Sequence, residues 1–234
     1  MVEAIILAGG KAERLGDAAS GRPKALVEVG GRPLAAYQVD QLAAAGVGRV
    51  LVSCAAGQEK LFAEALGGLG PEVVPVPEPE PLGRGGGIRL AATARKEDGD
   101  VFALNGDELV DADLREALAL HRERGAAATI TVVPLRSPFG VVDLDDDLVT
   151  GFREAPRLEH WVSCGVYVLG EEAIARLPER GDHETTTFPE LAAEGRLRAL
   201  RHEGLWLTVN TPKDLRVADD YLATHPGWPA GSRG

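Results

Sequence analysis

Two glycines between a short apolar run and a group of basic residues constrain this chain more than any other feature. The run Ala4–Leu7 leads through Ala8 to Gly9 and Gly10. Glycines allow positive φ and close approach of a ligand to the backbone. A loop of exposed N–H groups that leads into a helical turn suits phosphate. We therefore predict a strand, a glycine-turned phosphate loop and a second extended piece at 21–29.

The same stretch is basic in an acidic protein. Its charged residues between positions 10 and 24 are Lys11, Arg14, Arg22 and Lys24 against Glu13 and Asp17. The local charge is +2, whereas the whole chain carries −11. This contrast indicates an anionic small ligand, and we expect Arg14 and Lys24 to contact its phosphates. The alternative is that each is an ordinary solvated side chain.

Composition narrows the class of protein. The 234 residues are 44% hydrophobic and 26% charged, which is typical of a soluble globular chain. The net charge argues against nucleic-acid and membrane partners, and we find neither a signal-peptide pattern nor a membrane-spanning run. Cys54 and Cys164 are far apart, with no histidine cluster beside them. We expect buried, reduced cysteines in a cytoplasmic protein.

Strand and helix patterns alternate through the first half of the chain. This alternation predicts an α/β fold with a Rossmann-like, doubly wound mixed sheet. Ligands bind such sheets at the carboxyl ends of the strands. Three loops fall there: the one after Leu7, a glycine-rich loop Gly83–Gly87 that precedes a helix from Ile88, and the turn Asn105–Asp107. We expect all three to line one site.

The second half is richer in strands. Four β-type segments lie between 126 and 169, and we predict a terminal pair of strands at Arg198–Glu203 and Leu205–Val209. We expect a single domain over 1–225, with a first half at 1–110, a β-rich second half at 111–225 and a flexible tail at 226–234.

The turn Asn105–Asp107 is a candidate metal site. Carboxylates at a strand end beside a phosphate loop are placed to hold Mg²⁺, which prefers oxygen ligands and substrate phosphates. The alternative is a simple turn, since Asn, Gly and Asp commonly form turns. Neither a Walker A string nor a Gly-x-Gly-x-x-Gly fingerprint is present. Five scattered histidines form no triad, so packing or surface roles are expected for them.

Taken together, these motifs resemble the sugar-1-phosphate nucleotidylyltransferases (NDP-sugar pyrophosphorylases), which make an NDP-sugar from an NTP and a sugar 1-phosphate. The similar segments run in the same order over nearly the whole chain. They are Leu7–Gly10 with Arg14, Leu15, Pro23 and Lys24; Glu80–Gly86; Asn105–Asp107; Phe139–Val142; Phe152–Pro156; Cys164–Val168; Thr187–Glu190; and Trp206 with Thr211 and Pro212. The segment Glu80–Gly83 is closest to guanylyltransferases that act on mannose- or heptose-type phosphates.

The resemblance implies a nucleotidyltransferase in which the sugar phosphate attacks the α-phosphorus of an NTP and pyrophosphate leaves. Arg14 and Lys24 would be catalytic, with Arg14 on the β- and γ-phosphates and Lys24 near the α-phosphate. Asp107 would hold Mg²⁺. The implied nucleotide-binding residues are Leu7, Ala8, Gly9, Gly10, Glu80, Gly83 and Asn105. The implied acceptor-binding residues, in 111–225, are Gly140, Arg153, Glu154, Ser163 and Gly165.

Four positions depart from the family pattern. Ala155 replaces a lysine that contacts the sugar phosphate, a contact that Arg153 or Arg84 could supply instead. Ser163 replaces an asparagine, and Thr208 and Asn210 stand where the family has a second metal-binding aspartate and a glycine. The departures indicate a conserved NTP site and an altered acceptor site. They leave open an unusual sugar or cyclitol phosphate as acceptor, another phosphorylated acceptor, or a non-catalytic nucleotide-sugar-binding paralogue.

The nucleobase of the NTP is predicted from a single carboxylate. Guanine offers donors at N1 and N2, which Glu80 would match, so GTP is favoured. The expected partners are the NTP and the phosphorylated acceptor, with formation of a homodimer left open.

Overall fold

Strands and helices alternate along almost the entire chain in the computed structural model, which describes residues 2–10 and 12–228. The strands are β1 Glu3–Leu7, β2 Glu28–Val29, β3 Arg32–Pro33, β4 Arg49–Ala55, β5 Glu72–Glu78, β6 Val101–Asn105, β7 Glu108–Val110, β8 Ala128–Arg136, β9 Val141–Asp145, β10 Leu148–Arg153, β11 Arg157–Leu169, β12 Leu197–Arg201 and β13 Trp206–Thr208. The helices are α1 Leu34–Ala44, α2 Glu59–Leu66, α3 Gly83–Ala92, α4 Leu114–Glu123, α5 Glu171–Ala175, α6 Thr187–Ala193 and α7 Pro212–Thr224, with 3₁₀ turns at Glu13–Ala19 and Lys24–Leu26.

The centre of the fold is one mixed sheet of seven strands, in the order β12-β8-β11-β6-β1-β4-β5. Strands β6, β1, β4 and β5 are parallel, and β11 runs antiparallel to both β6 and β8. The chain first steps from β1 to β4 and β5 and then returns to the other side of β1 as β6. Such a reversal leaves a crevice at the carboxyl ends of the strands. The predicted Rossmann-like, doubly wound mixed sheet is confirmed.

The apolar run of β1 is buried on both faces of this sheet. Ala4 and Ile6 point to the side covered by α1 and α2, where Phe62 is fully buried. Ile5 points to the opposite side, where Ile88 of α3 packs. Successive side chains of a strand face opposite ways, so a strand covered by helices on both sides must be apolar throughout.

Two predicted details of secondary structure are wrong. The glycine-rich segment Gly83–Gly87 is the first half of α3 and not a loop before a helix at Ile88. The segments predicted as a terminal strand pair do not pair with each other, because β12 joins β8 and β13 joins β7. Both errors depend on tertiary partners that lie far away in the chain.

Two further regions bear on earlier expectations. Strands β9 and β10 form a two-stranded ribbon apart from the main sheet. Its paired residues are 42–66% exposed, and they are Val142, Phe152, Leu144 and Val149.

Of the predicted flexible tail, 229–234 lie outside the described residues. Trp228 is buried, with its ring centroid 5.7 Å from that of Tyr37. Within the described ranges, no helix combines the length and apolarity needed to cross a membrane.

His183 is enclosed by aromatic rings. Its ring centroid lies 5.1 Å from that of Tyr167 and 4.7 Å from that of Phe188, and the residue is 0% exposed. Burial lowers the pKa of His183 to about 4, although the neighbouring carboxylates Asp182 and Glu184 oppose this shift. The imidazole is therefore neutral in the folded protein at pH 7.

We predict that His183 makes the fold sensitive to acid. The unfolded chain takes up a proton near pH 6.5, but the folded protein resists it until about pH 4. Stability contributed by the neutral ring is thus complete above pH 6.5 and is lost as pH falls toward 4. When the pH is lowered from 7.5 to 5, the unfolding free energy of the wild type should fall by up to about 2 kcal/mol more than that of His183→Gln.

Urea unfolding at each pH measures this difference, and His160→Gln, at an exposed histidine, is the matched control. Equal pH slopes in the wild type and His183→Gln would contradict the assignment.

Candidate active site

A cleft of about 420 Å³ opens at the carboxyl ends of β1, β5 and β6. It is lined by Leu7, Ala8, Gly9, Gly10, Arg14, Lys24, Ala25, Glu78, Pro81, Gly83, Arg84, Asn105, Gly106, Asp107 and Glu108. The three predicted loops therefore meet at one site. Both residues proposed as catalytic, the proposed metal ligand and all but one of the proposed nucleotide-binding residues lie along this wall.

The floor of the cleft depends on a glycine. The Gly106 N–H donates to the Leu7 carbonyl at 2.9 Å, which continues the pairing of β1 with β6 beyond the strand ends. A Cβ at position 106 would lie only 2.4 Å from that carbonyl oxygen. Only glycine allows this approach, so it sets the distance between the loop after β1 and Asp107.

Lys24 joins three parts of the chain in the cleft. Its Nζ donates to Asp107 Oδ2 and to Asn210 Oδ1, each at 2.5 Å, and its side chain is only 11% exposed. Asn210 is held in turn, because its N–H donates to Asp214, the residue that forms a capping box with Thr211 at the start of α7. The asparagine noted as a departure from the family pattern thus reaches the same lysine as the candidate metal ligand.

The basic residues of the first thirty do not act as one group. Arg14 and Lys24 line the cleft. Arg22 instead pairs with Glu28 at an exposed position, and Lys11 lies outside the described residues. A count of charges could not separate the basic residues that line the cleft from those that do not, because all four lie close to the glycine loop in the sequence.

Glu78 contributes a buried carboxylate to the cleft. It is 8% exposed, and it accepts hydrogen bonds from Ser53 Oγ at 2.7 Å and from the Leu82 N–H at 3.0 Å. Glu80 pairs with Arg180 and is not among the described residues that line the cleft. Sequence reasoning missed Glu78 because the repeated Pro-Glu pattern offered no signal to separate the two glutamates.

The glycines of α3 permit packing of backbone against backbone. A Cβ on Gly86 would lie 2.5 Å from the Glu179 carbonyl oxygen, and one on Gly85 would lie 2.7 Å from Pro178. The N–H groups of Gly85 and Gly86 both donate to the Gly181 carbonyl, at 2.9 and 3.4 Å. These two donors are thus used within the protein, although Gly83 still lines the cleft.

A buried glutamine holds the turn after β6. Gln38 Nε2 donates to the carbonyls of Asn105 and Glu108 at 2.7 and 2.9 Å. Glu108 itself accepts from Asn105 Nδ2 at 3.1 Å and from Trp206 Nε1 at 2.8 Å. Burial raises the pKa of Glu108 to about 7, although these two hydrogen bonds oppose the shift. The sequence motif includes Glu108 but gave no reason to assign it a role.

A second cavity, of about 520 Å³, adjoins the cleft and shares Arg84, Asn105 and Glu108 with it. Its other polar lining residues are Ser163 and Glu184. Arg84 Nε donates to Asp182 Oδ2 at 2.8 Å, and its Nη2 lies 2.7 Å from Glu184 Oε2. No sequence motif indicated Glu184, which reaches the cavity only because 178–184 pack on α3.

The predicted acceptor-binding residues fall into two groups. Ser163 lines the second cavity, and Gly165, with φ +69°, lies in an irregular part of β11 beside Asn105 and Glu108. Gly140, Arg153 and Glu154 belong to the β9–β10 ribbon and its flanks, and Arg153 is paired with Asp143 at 2.5 Å. These three are not among the described residues that line either cavity.

The cleft offers a carboxylate that suits Mg²⁺. The Asp107 side chain is 32% exposed and lines the cleft. Within the described part of the chain, no cluster of three or more His, Cys, Asp or Glu could hold a metal by itself. One or two carboxylates completed by substrate phosphates is the usual arrangement for Mg²⁺, so the residues present fit this ion.

Sequence comparisons identify relatives of the whole chain. A family model described as nucleotidyl transferase matches residues 3–224. The chain is 31% identical to the Xenopus tropicalis mannose-1-phosphate guanylyltransferase catalytic subunit beta, covering 97% of this chain and 68% of that protein. It is 32% identical to a Candida albicans mannose-1-phosphate guanyltransferase, covering 92% and 62%. The chain therefore spans about two thirds of the length of these relatives.

Solved structures share the fold. A putative glucose-1-phosphate thymidylyltransferase from Bacillus anthracis superposes with a TM-score of 0.76 at 18% identity, covering 94% of this chain and 95% of that one. HddC from Yersinia pseudotuberculosis superposes with a TM-score of 0.73 at 23% identity, covering 95% and 100%.

We predict that Gly165 tolerates no side chain. A Cβ there would lie 2.6 Å from Asn105 Nδ2 and 2.8 Å from Glu108 Oε2. Gly195 has nearly the same φ, +68°, with open space around its Cβ position, so it is a matched control for backbone strain alone. In urea unfolding, Gly165→Ala should cost about 1–3 kcal/mol more than Gly195→Ala. Equal losses would show that Asn105 and Glu108 can move aside freely.

Proposed function

The chain belongs to the nucleotidyl transferase family, and on that premise we propose that it transfers GMP from GTP to a sugar 1-phosphate, releasing pyrophosphate. The observation that carries the proposal is the contact of Lys24 with Asp107 in a cleft that continues into a second cavity. One cavity accommodates a nucleotide and the other the body of an acceptor. The mannose-1-phosphate guanylyltransferases among the relatives support the choice of guanine and of a sugar phosphate.

Charge and position account for the proposed chemistry. An oxygen of the acceptor phosphate attacks the α-phosphorus of GTP in line; a new O–P bond forms, and the bond to the β-phosphate oxygen breaks. The acceptor phosphate is already an anion, so the reaction needs no protein nucleophile. Arg14 neutralises the β- and γ-phosphates, and Lys24 holds the α-phosphate and the incoming phosphate. Such transfers depend mainly on positioning and on stabilisation of charge.

Asp107 is the proposed metal ligand, and its carboxylate is 32% exposed in the cleft. When bound there, Mg²⁺ would add positive charge next to the phosphates. Lys24 now occupies one oxygen of Asp107, so it must share this carboxylate or exchange it for a phosphate. Thr208 stands where the family has a second aspartate, and the Asn210 side-chain oxygen accepts a hydrogen bond from Lys24 Nζ.

The other predicted binding residues are assigned to the nucleotide in the cleft or to the acceptor in the second cavity. Backbone groups at Gly9 and Gly10 approach the nucleotide, and Gly83 and Asn105 line the same wall. Ser163 contacts the acceptor in the second cavity. Gly140, Arg153 and Glu154 are proposed to reach the acceptor from the β9–β10 ribbon, and Glu80 remains a predicted contact to guanine.

A cytoplasmic location is consistent with the two thiols. Cys54 and Cys164 are both free and buried, and burial raises their pKa values to about 11 and about 12. Such thiols are inert, as expected for structural cysteines in a reducing compartment. Formation of a homodimer remains a prediction.

One alternative has a specific observation in its favour. The loss of the second aspartate at Thr208 and the engagement of Lys24 by Asn210 suit a paralogue that binds a nucleotide sugar without turnover. A transferase that uses a cyclitol or other phosphorylated acceptor shares the proposed chemistry and differs only in the second cavity.

We predict that Asp107→Ala abolishes Mg²⁺-dependent pyrophosphate release and leaves the fold intact, because Asp107 is partly exposed in the turn after β6 and Lys24 keeps its hydrogen bond to Asn210. The assay combines each of the common NTPs with a panel of sugar 1-phosphates, and GTP should give the highest rate. Asp98→Ala, at an exposed loop position, is the matched control.

Near-full activity of Asp107→Ala would overturn the metal assignment. Tight nucleotide binding by the wild type without release from any pair would instead favour the non-catalytic paralogue.

A further inference from the structure

Large apolar side chains at the surface are concentrated in one short segment. Within the described ranges, eight of them are exposed, and six of the eight lie between positions 139 and 152. The other two, Leu61 and Val217, lie singly on α2 and α7. Single apolar residues are normal on a protein surface, whereas a contiguous apolar patch marks an interaction site. The segment 139–152 is therefore a candidate interaction surface.

The β9–β10 ribbon gathers four of these side chains on one face. Its register places Val142 opposite Phe152 and Leu144 opposite Val149. Successive residues of a strand face opposite ways, so these two pairs form one apolar face. The other face carries an ion pair between the two strands. One polar and one apolar face is the pattern of an antiparallel sheet that is covered on one side.

No described residue pairs with the ribbon to form a larger sheet, since β9 and β10 hydrogen-bond only with each other. The four side chains of the apolar face remain 42–66% exposed. The positions outside the described ranges are 1, 11 and 229–234, and Met1 is the one large apolar residue among them. A two-stranded ribbon alone is marginally stable in water. A second molecule that covers the apolar face would therefore stabilise the ribbon.

The two ends of the ribbon differ in charge. At its tip, the turn between β9 and β10 carries three consecutive exposed carboxylates, Asp145, Asp146 and Asp147. None of the three forms an ion pair with a described residue. The tip is thus free to meet positive charge on another molecule, and it is repelled by a second tip.

The base of the ribbon offers such a charge. There β8 and β11 meet, and their register sets Arg136 directly opposite Arg157. Like charges opposite each other destabilise a strand pair. Glu203 compensates Arg157 at 3.0 Å, whereas the exposed Arg136 has no ion-pair partner in the described part of the chain. A carboxylate from another molecule would relieve this repulsion.

We propose that this chain forms a homodimer in which the apolar faces of two β9–β10 ribbons pack on each other across a two-fold axis. In a two-fold pair every contact occurs twice. An antiparallel arrangement sets the acidic tip of each ribbon over Arg136 of the other copy, whereas a parallel one would bring the two tips together. The dimer does not depend on the proposed transferase function.

The size of the face sets the strength of the association. Six residues of strand span about 20 Å, so the ribbon presents less than the roughly 800 Å² per partner of a standard interface. The dimer should therefore depend on concentration and coexist with monomer.

Sedimentation equilibrium of the full chain, from low micromolar to near-millimolar concentration, measures the association constant. Leu144→Ser, on the apolar face, should lower it by about 10-fold or more. Leu61→Ser, at an exposed leucine of α2, is the matched control and should change it by less than about 2-fold. Circular dichroism verifies that both variants are folded.

Charge reversal tests the antiparallel arrangement. Asp147→Lys and Arg136→Glu should each weaken association at low salt, because each places like charges at both tip-to-base contacts. An equimolar mixture of the two variants should associate more tightly than either alone, since a mixed dimer has opposite charges at both contacts. This recovery occurs only if the tip and the base belong to different copies.

A monomer at every concentration, or an association that Leu144→Ser leaves unchanged, overturns the proposed interface. A mixture of the charge variants that associates no more tightly than each alone overturns the antiparallel packing.

Discussion

The contact between the Leu7 carbonyl and the Gly106 N–H is the constraint on which the site depends. It extends the pairing of β1 and β6 past the strand ends, in a space too small for any Cβ. The loop after β1 carries Gly9 and Gly10, which are predicted to bind phosphate, and the turn after β6 carries the acidic residues. A single hydrogen bond of ordinary length thus fixes the spacing between groups that are about a hundred residues apart in the chain.

Around that contact, opposite charges are held close together in an acidic protein. Lys24 is mostly buried and is shared between Asp107 and the neutral Asn210. A buried cation is stable only when it is paired, and Asp107 supplies the compensating charge for Lys24. Asn210 adds an acceptor without adding charge, so Lys24 and Asp107 together carry no net charge, whereas two aspartates around the lysine would leave a net negative charge.

The features that the sequence revealed are those determined by local pattern. Continuous apolar runs identified the strands of the parallel part of the sheet, and the carboxyl-end rule placed three loops together, since both follow from burial and from chain direction. The role of the glycines of α3 could not be predicted in this way. They are needed because 178–181, from the other half of the chain, pack too closely on the helix for side chains at these positions.

Side-chain direction was equally inaccessible to sequence reasoning. Glu78 enters the cleft and Glu80 does not, although both follow a proline in the same short segment. The difference comes from Ser53 and Leu82, which hold the Glu78 carboxylate inward. Similarly, Glu108 acquires its place from Trp206, which joins it only when β13 pairs with β7.

The close packing of α3 against 178–181 has a mechanical consequence. The helix carries Gly83 on the wall of the cleft, and the segment that follows 181 carries Glu184 on the wall of the second cavity, with Arg84 bonded between them. At Gly86 the helix lies in direct contact with the Glu179 carbonyl, with no side-chain layer between them to absorb a shift. A displacement of α3 would therefore change the walls of both cavities together.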